Sequence, residues 1–514
     1  MTVSLPGAAG ARQSRRSGMH HTYEENHTMR LGAKIALAGL GWLGLLTAAS
    51  AEELTPIQQE MIRYLDSIQS ELVAVNQDIW NYAELGLQEH RSAARLVGLL
   101  KKAGFRVREG VSDMPTAFIA EYGSGKPIIG ILAEYDALPE LSQQVAGERR
   151  PVEGRTAGHG CGHCALGTAA VGAALAIKEV YDRHGLKGTV RVYGTPAEET
   201  LIGKVYMTLD GQFNDLDACL HWHPGSQNGI WYQSSKALIS AKFTFAGLPA
   251  HASGSPDRGR SALDAVELMN VGANYMREHI KQTSRIHYVI TNGGQQPNVV
   301  PATAQVWYFV RANTHEDVEA QFDWLVDIAE GAAKMTRTKL SVQIDTDCHE
   351  IIPNLPLSRV IERNFKRVGP PRFSEADMEL ARQLQAPLRA EFGLKPAKPL
   401  NDTIEELPAK PPAPEGGSTD VGDVSWHVPT GGFRAVCFAA GSPGHSWQNV
   451  AAVGSPIGHK GMMVAAKVLA LSTVDLLQDP QALKEARADF DERMKGRKYT
   501  TRIPKGQKPP RTIR

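Results

Sequence analysis

Pro127-Ile128-Ile129-Gly130-Ile131-Leu132-Ala133 is a seven-residue apolar run with no polar alternation. A strand covered on both faces reads this way, and such strands belong to parallel sheets. Working outward, strand-like runs recur at Thr189 to Tyr193, Asp217 to Leu220 and Arg434 to Ala439, with helix-compatible stretches at 165 to 183, about 203 to 212 and about 460 to 477. Alternation of this kind predicts an α/β layer. Upstream, apolar positions recur with helical spacing from Thr55 to about Lys102, and Gly104 marks a stop. Between Ala237 and Asp345 the rhythm changes to strand (238 to 246), helix (260 to 280), strand (286 to 291), strand (304 to 311), helix (315 to 334) and strand (339 to 345). That order is the split βαβ sandwich, a two-layer domain inserted into the larger one.

The resulting partition is a leader (1–51), a first catalytic segment (52–236), an inserted domain (237–346), a second catalytic segment (347–480) and a basic tail (481–514). Residues 351 to 417 hold 11 of the 30 prolines and resist a regular reading, which predicts a long excursion. Arg493 to Arg514 carries nine basic residues and no acidic one, which reads as a solvated end.

With 22% charged and 42% apolar residues and 49 Gly, the 514-residue chain is neither collagenous, coiled-coil nor wholly disordered. Its net charge of +1 gives no general field for nucleic acid or acidic membrane, so function must come from local sites. Arg30 and Lys34 precede the apolar run Ile35 to Ala48, and Ala49-Ser50-Ala51 offers a small-x-small cleavage site. This predicts a signal peptide with translation starting at Met29, cleavage near Ala51 and a periplasmic or secreted protein with no stable membrane span. Removing the leader leaves 51 basic against 53 acidic residues.

Gly158-His159-Gly160-Cys161-Gly162-His163-Cys164 alternates glycine with potential ligands and opens a helix near Ala165. A structural turn is one reading. A dinucleotide loop fails for want of an acidic strand end about twenty residues later. The Cys161-x-x-Cys164 spacing also fits a periplasmic thiol–disulfide oxidoreductase. What separates redox from metal chemistry is the company the motif keeps: Glu198-Glu199, His221-Trp222-His223 and His445 each follow a strand-like run. Ligand crevices in α/β sheets lie at the carboxyl ends of strands, so four segments bring Cys, His, Glu and His to one rim. A redox domain would leave three of them without a role.

These residues carry a family resemblance. Ala83-Glu84-Leu85-Gly86-Leu87-Gln88-Glu89, Glu134-Tyr135-Asp136-Ala137-Leu138-Pro139, His159-Gly160-Cys161-Gly162-His163, Pro196-Ala197-Glu198-Glu199, Gly247 to His251, Pro297 to Pro301 and the block from His445 through Gly458 resemble motifs of the aminoacylase and zinc-carboxypeptidase metallopeptidases, in the branch of hippurate hydrolase and the auxin-conjugate amidohydrolases. The resemblance implies a zinc-peptidase-like catalytic domain with a central mixed sheet and a ferredoxin-like lid and dimerisation domain. It also implies two divalent cations, zinc or manganese, held by Cys161, His163, Glu199, His221 and His445, with Glu198 as general base and acid. His251 and Asn298 would close on substrate and oxyanion, often from the partner of a homodimer formed through 237–346, and Asp136 would brace the centre. Cys164 stands where the family usually has aspartate, which places a thiol beside the metals; the p-aminobenzoyl-glutamate branch varies at the same place. His223 and His459 have no matching ligand role. The expected substrate is an N-acyl or N-aroyl amino acid, such as a p-aminobenzoyl-glutamate-like, hippurate-like or dipeptide amide, with Arg258, Arg260 and Arg311 as candidate carboxylate clamps. A catalytically weak, metal-loaded subunit working with a homologous second subunit is the remaining expectation.

Overall fold

The computed structural model describes residues 53–511, other than 397 and 415; the expected start at Met29, the signal peptide and its cleavage site lie outside these. Thr55 caps the first helix in a capping box with Gln58, and Pro56 occupies its first turn, where a missing N–H costs nothing. The stretch expected to be helical up to Lys102 is three helices, α1 (Pro56–Ser67), α2 (Gln69–Tyr82) and α3 (His90–Lys102), because Ala83 takes a left-handed conformation that ends α2. There follow β1 (Arg106–Glu109), β2 (Phe118–Ser124), β3 (Ile128–Ala133), α4 (His163–Tyr181), β4 (Gly188–Gly194), α5 (Gly203–Leu209), β5 (Ala218–Gly225) and β6 (Gly229–Ile230).

A second sheet and its two helices follow: β7 (Ala237–Ala246), α6 (Ala262–Met276), β8 (Arg285–Asn292), β9 (Thr303–Ala312), α7 (His315–Thr336) and β10 (Lys339–Cys348). The chain then returns through α8 (Leu355–Val368), α9 (Glu375–Phe392), α10 (Val421–Ser425), β11 (Thr430–Val436), α11 (Trp447–Val453), α12 (Pro456–Gln478) and α13 (Pro480–Met494).

The catalytic sheet is mixed, ordered β1-β2-β4-β3-β5-β11-β6, with β4, β3, β5 and β11 running parallel at its centre. β3 pairs in parallel on both sides, as its unbroken apolar run requires. Helices α4 and α12 are apolar enough all round to pass for membrane spans by length and composition, and both are packed within the protein. The smaller sheet is antiparallel throughout, ordered β10-β7-β9-β8, with α6 and α7 on one face. Along β9 every second side chain is buried, the period-2 pattern of a sheet with one covered face.

Two expectations change. The segment 351–417 contains α8 and α9, whose apolar positions Leu357, Val360, Ile361 and Phe365 keep helical spacing. Its prolines misled because Pro356 sits harmlessly in the first turn of α8, while Pro387 is tolerated inside α9. The basic tail is also not a solvated end. After α13, residues 495–508 run as a strap across α7, β10 and α10: Tyr499 donates to Asp423 (2.7 Å), His349 Nε2 bonds Thr500 O (2.7 Å), and Arg502 N donates to Asp347 (2.6 Å) while its side chain pairs with Glu319 and Asp323 of α7. Ile503 is buried, and Gln507 donates to Tyr206 and to Ile344 O.

Candidate active site

Each parallel strand delivers side chains to the crevice at its carboxyl end. Beyond β3 come Glu134 and Asp136; beyond β4, Glu198 and Glu199; at the end of β5, His223; and beyond β11, His445. The loop before α4 brings Cys161, and His163 is the first residue of α4 itself. Gly162 makes this possible, since its φ of 86° suits glycine and a Cβ there would lie 2.9 Å from the ring of Pro224. Glu198 begins a 3₁₀ turn flanked by Ala197 and Leu201, both left-handed, and buried Glu89 pins that turn by accepting from Ala197 N (2.9 Å). Strained non-glycine backbone of this kind persists where its surroundings enforce it, often at functional sites.

Asp136 braces two donors at once: Oδ1 bonds His163 Nδ1 (2.8 Å) and Oδ2 accepts from Glu199 N (2.9 Å). With Nδ1 engaged, His163 Nε2 faces inward. His223 is oriented in the same way, its Nδ1 on Pro224 O (2.7 Å) and its Nε2 3.3 Å from Cys161 Sγ. His445 Nε2 stands 3.2 Å from Glu199 Oε2, and His163 Nε2 stands 3.2 Å from Glu134 Oε2. Three sets of donor atoms each cluster within 4.8 Å: Cys161, His163 and His223; Cys161, Glu199 and His445; Glu134, His163 and Glu198. Cys161 is common to two of them, as a donor shared by two cations would be.

The donors fit divalent cations on two counts. Glu134 Oε2, His163 Nε2 and Glu199 Oε1 are buried without a hydrogen-bond partner, an expensive state for bare acceptors unless a cation lies among them. The 3.2–3.3 Å pair spacings also match the edge of a tetrahedral shell, about 3.3 Å for ligand bonds near 2.0–2.1 Å. Burial pushes the Cys161 thiol up, raises Glu198 well above the ordinary carboxylate range with help from the charge of Glu134, and lifts Glu199 to about 8. Lys204 sits beneath the cluster, fully buried, bonded to Glu134 (2.8 Å) and Asp420 (2.5 Å). Although burial acts to raise Glu134, the Lys204 ammonium beside it outweighs this and holds the carboxyl down at about 2.

Two expected placements are revised. His221 is outside all three donor sets. It lies two residues earlier on the same face of β5, roughly 6.6 Å deeper, beside Trp231 and the backbone of Gly432. His223, which had no expected ligand role, takes the rim position. Cys164 does not join the donor cluster either: the second residue of α4, it packs into the apolar core, fully buried, and burial pushes its thiol up to about 12. All five cysteines are free, and a Cys161–Cys164 redox pair has no support in this arrangement.

Arg311 and Arg434 line the crevice together with Cys161, Glu198, Glu199, His223 and His445. Arg434 stacks over Trp231, Arg311 Nε is buried without a partner, and neither forms a carboxylate pair among the described residues. Arg258 is exposed, and Arg260 bonds its own loop at Asp257 O (3.1 Å). An adjoining cavity of about 390 Å³ shares Asp136, Glu199 and Phe309 with the centre and is walled by Leu85, Leu138, Pro139 and Trp307. His251 and Asn298 come together in the loops that follow β7 and β8, where Ala252 N bonds Asn298 O (3.0 Å), but both are exposed and neither lines the crevice of its own chain.

The residues that motif reading missed are Glu134, Lys204, His223, Asp420 and Arg434. Two of them carried a usable signal: His223, a second histidine at a strand end directly before a proline, and Glu134, an acid at a strand end two residues before Asp136.

Residues 130–470 match the model of peptidase family M20/M25/M40. One of the subunits of the p-aminobenzoyl-glutamate hydrolase of Escherichia coli (strain K12) is 40% identical over 477 residues, covering 88% of this chain and 99% of that protein. Among solved structures, the aminobenzoyl-glutamate utilization protein of Klebsiella pneumoniae superposes with a TM-score of 0.57 at 17% identity, over 81% of this chain and 98% of that one. The Bacillus subtilis YXEP protein, a dinuclear metal-binding peptidase, does so with a TM-score of 0.52 at 18% identity, over 80% and 99%. With the donor cluster on the rim of the parallel strands and this similarity across most of its length, the chain belongs to peptidase family M20/M25/M40.

Proposed function

We propose that this chain is a metal-dependent amidohydrolase that cleaves the amide bond of N-acyl or N-aroyl amino acids. The observation that carries the reading is the convergence of Cys161, His163, His223, Glu199 and His445, with Glu198 among them, in a crevice also lined by Arg311 and Arg434, which form no carboxylate ion pair among the described residues. Two divalent cations, zinc or manganese, would be held by those five donors; when bound, they polarise the scissile carbonyl and acidify the attacking water. Glu198, buried at the crevice wall with Oε2 3.7 Å from His163 Nε2, takes the proton from that water and returns it to the leaving nitrogen.

The two cavities suggest how substrate lies. The apolar one, with Trp307 and Phe309, suits an acyl or aryl group, and Arg311 and Arg434 suit the carboxylate of the amino acid. The Escherichia coli relative is named for a substrate of this form, an aroyl group on glutamate. His251 and Asn298 would complete the site from a second copy docked through the inserted domain, or from a homologous second subunit. Export to the periplasm after cleavage near Ala51 belongs to the same proposal.

The test is metal analysis followed by a panel of N-acyl amino acids on wild type and Glu198→Gln. The variant should keep its metal and lose about 10²- to 10⁴-fold in turnover. Near-normal turnover in Glu198→Gln would refute the assignment, and a metal-loaded wild type inactive on the whole panel would favour a weak subunit that needs its partner.

A further inference from the structure

We propose that Glu134 is itself a metal ligand, and that it makes the two cation positions unequal: an inner one enclosed by protein donors and an outer one left open toward substrate. The inference rests on the two-cation reading above and deepens it.

The argument begins with a pair of lone pairs. Glu134 lies one residue beyond β3 and is 3% exposed. Its Oε1 is taken by Lys204 Nζ at 2.8 Å, and its Oε2 points at His163 Nε2 from 3.2 Å. Because Asp136 accepts the Nδ1 proton of His163, Nε2 is left as an acceptor. Neither Nε2 nor Oε2 has a hydrogen-bond partner, and both are buried. Two bare acceptors facing each other away from water repel and forfeit their hydration, so the arrangement calls for a positive charge that both can touch. A spacing of 3.2 Å is that of two donors on one tetrahedral cation.

The rest of the network serves this geometry. Lys204 is fully buried and joins Glu134 to Asp420, which also accepts from Lys204 N at 2.9 Å. Lys204 therefore anchors one carboxylate oxygen of Glu134 and leaves the other facing the centre. Glu134 and His163 lie within 4.8 Å of each other and of Glu198, and the same His163 lies within 4.8 Å of Cys161 and His223; a cation on the one free nitrogen of His163 would draw on both sets, which gives the inner position Cys161, His163, His223 and Glu134. The outer one has Cys161, Glu199 and His445, three donors, and the side chain of His445 is 56% exposed. Four donors close a shell, whereas three leave a place for water or a substrate carbonyl.

Metal content and affinity decide the matter independently of activity. Wild type and Glu134→Gln, stripped and reloaded with zinc, are compared by elemental analysis and by competition with a chromogenic chelator. Wild type should bind two ions with separable affinities. Glu134→Gln should weaken the tighter one by at least about tenfold and leave the weaker within about twofold. If Glu134→Gln misfolds by circular dichroism, Glu134→Asp, which retracts the oxygen by one methylene, should weaken the same ion. Unchanged affinities in a folded variant overturn the proposal, as does selective loss of the weaker ion. A wild type that binds fewer than two ions overturns the two-cation reading itself, which separates the two failures.

Discussion

Replacing Lys204 by methionine in the metal-stripped protein keeps the volume of the side chain and deletes its charge. Lys204 is fully buried and contacts Glu134 at 2.8 Å and Asp420 at 2.5 Å. At an effective dielectric constant of about 20, an opposite charge 2.8 Å away is worth about 6 kcal/mol of gross attraction, most of it offset by the cost of desolvating both groups. What the substitution exposes is the asymmetry: the carboxylates stay behind. Asp420 keeps the backbone N–H of residue 204 at 2.9 Å, but Glu134 loses its charged partner. Removing one member of a buried pair costs about 3–5 kcal/mol. In urea, with a slope near 3 kcal/mol per molar, the unfolding midpoint followed by tryptophan fluorescence should fall by about 1–1.7 M. Lys204→Met/Asp420→Asn, which removes one of the stranded charges, should recover part of that loss. A shift worth less than about 1 kcal/mol, or a double variant less stable than the single one, would refute the reasoning.

Two further outcomes are expected. Burial alone would raise the Asp377 carboxyl, but the Lys460 ammonium and the hydroxyl and amide of Ser374 outweigh it and hold the group below its ordinary value. Its contribution is therefore present above the unfolded value near 3.9 and is lost as pH falls through the lowered folded value, so the stability gap between wild type and Asp377→Asn in acid titrations should be steady from pH 5 to 8 and close in more acidic solution. Truncation after Met494 removes buried Ile503, the Tyr499 hydroxyl on Asp423 and the Arg502 pairs with α7; Ile503 alone is worth about 1.5–3 kcal/mol. A lower melting temperature with faster amide exchange in α7 and at 345–350 is the expected result, and unchanged exchange there would show that the strap does not hold these segments.

Much of the architecture was legible because its signals are local. The unbroken apolar run of β3, the apolar helix after the glycine-rich loop and the strand–helix order of the second domain are each read within a window of ten to twenty residues. Where prolines fell at tolerated helix positions, in α8 and α9, the same local reading failed, although the apolar spacing of α8 was present beneath them. The basic strap was misread for a related reason: its charge is local, whereas the partners that order it lie on α7, α10 and β10.

By itself, the sequence placed Cys161, His163, Glu198, Glu199, His221 and His445 on one rim, because strand ends in a parallel sheet share it; in the structure it is His223, not His221, that stands with the other donors. Only the tertiary structure decided which histidine. His221 and His223 share a face of one strand, and their difference is depth relative to the crevice, which depends on where β5 sits against β3 and β11. The same holds for Cys164, turned into the core by the start of α4, and for Glu134, Lys204 and Asp420, which are separated by 70 and 216 residues along the chain yet form one buried ion network. Burial and pairing are properties of packed neighbours, and no spacing within a single segment encodes them.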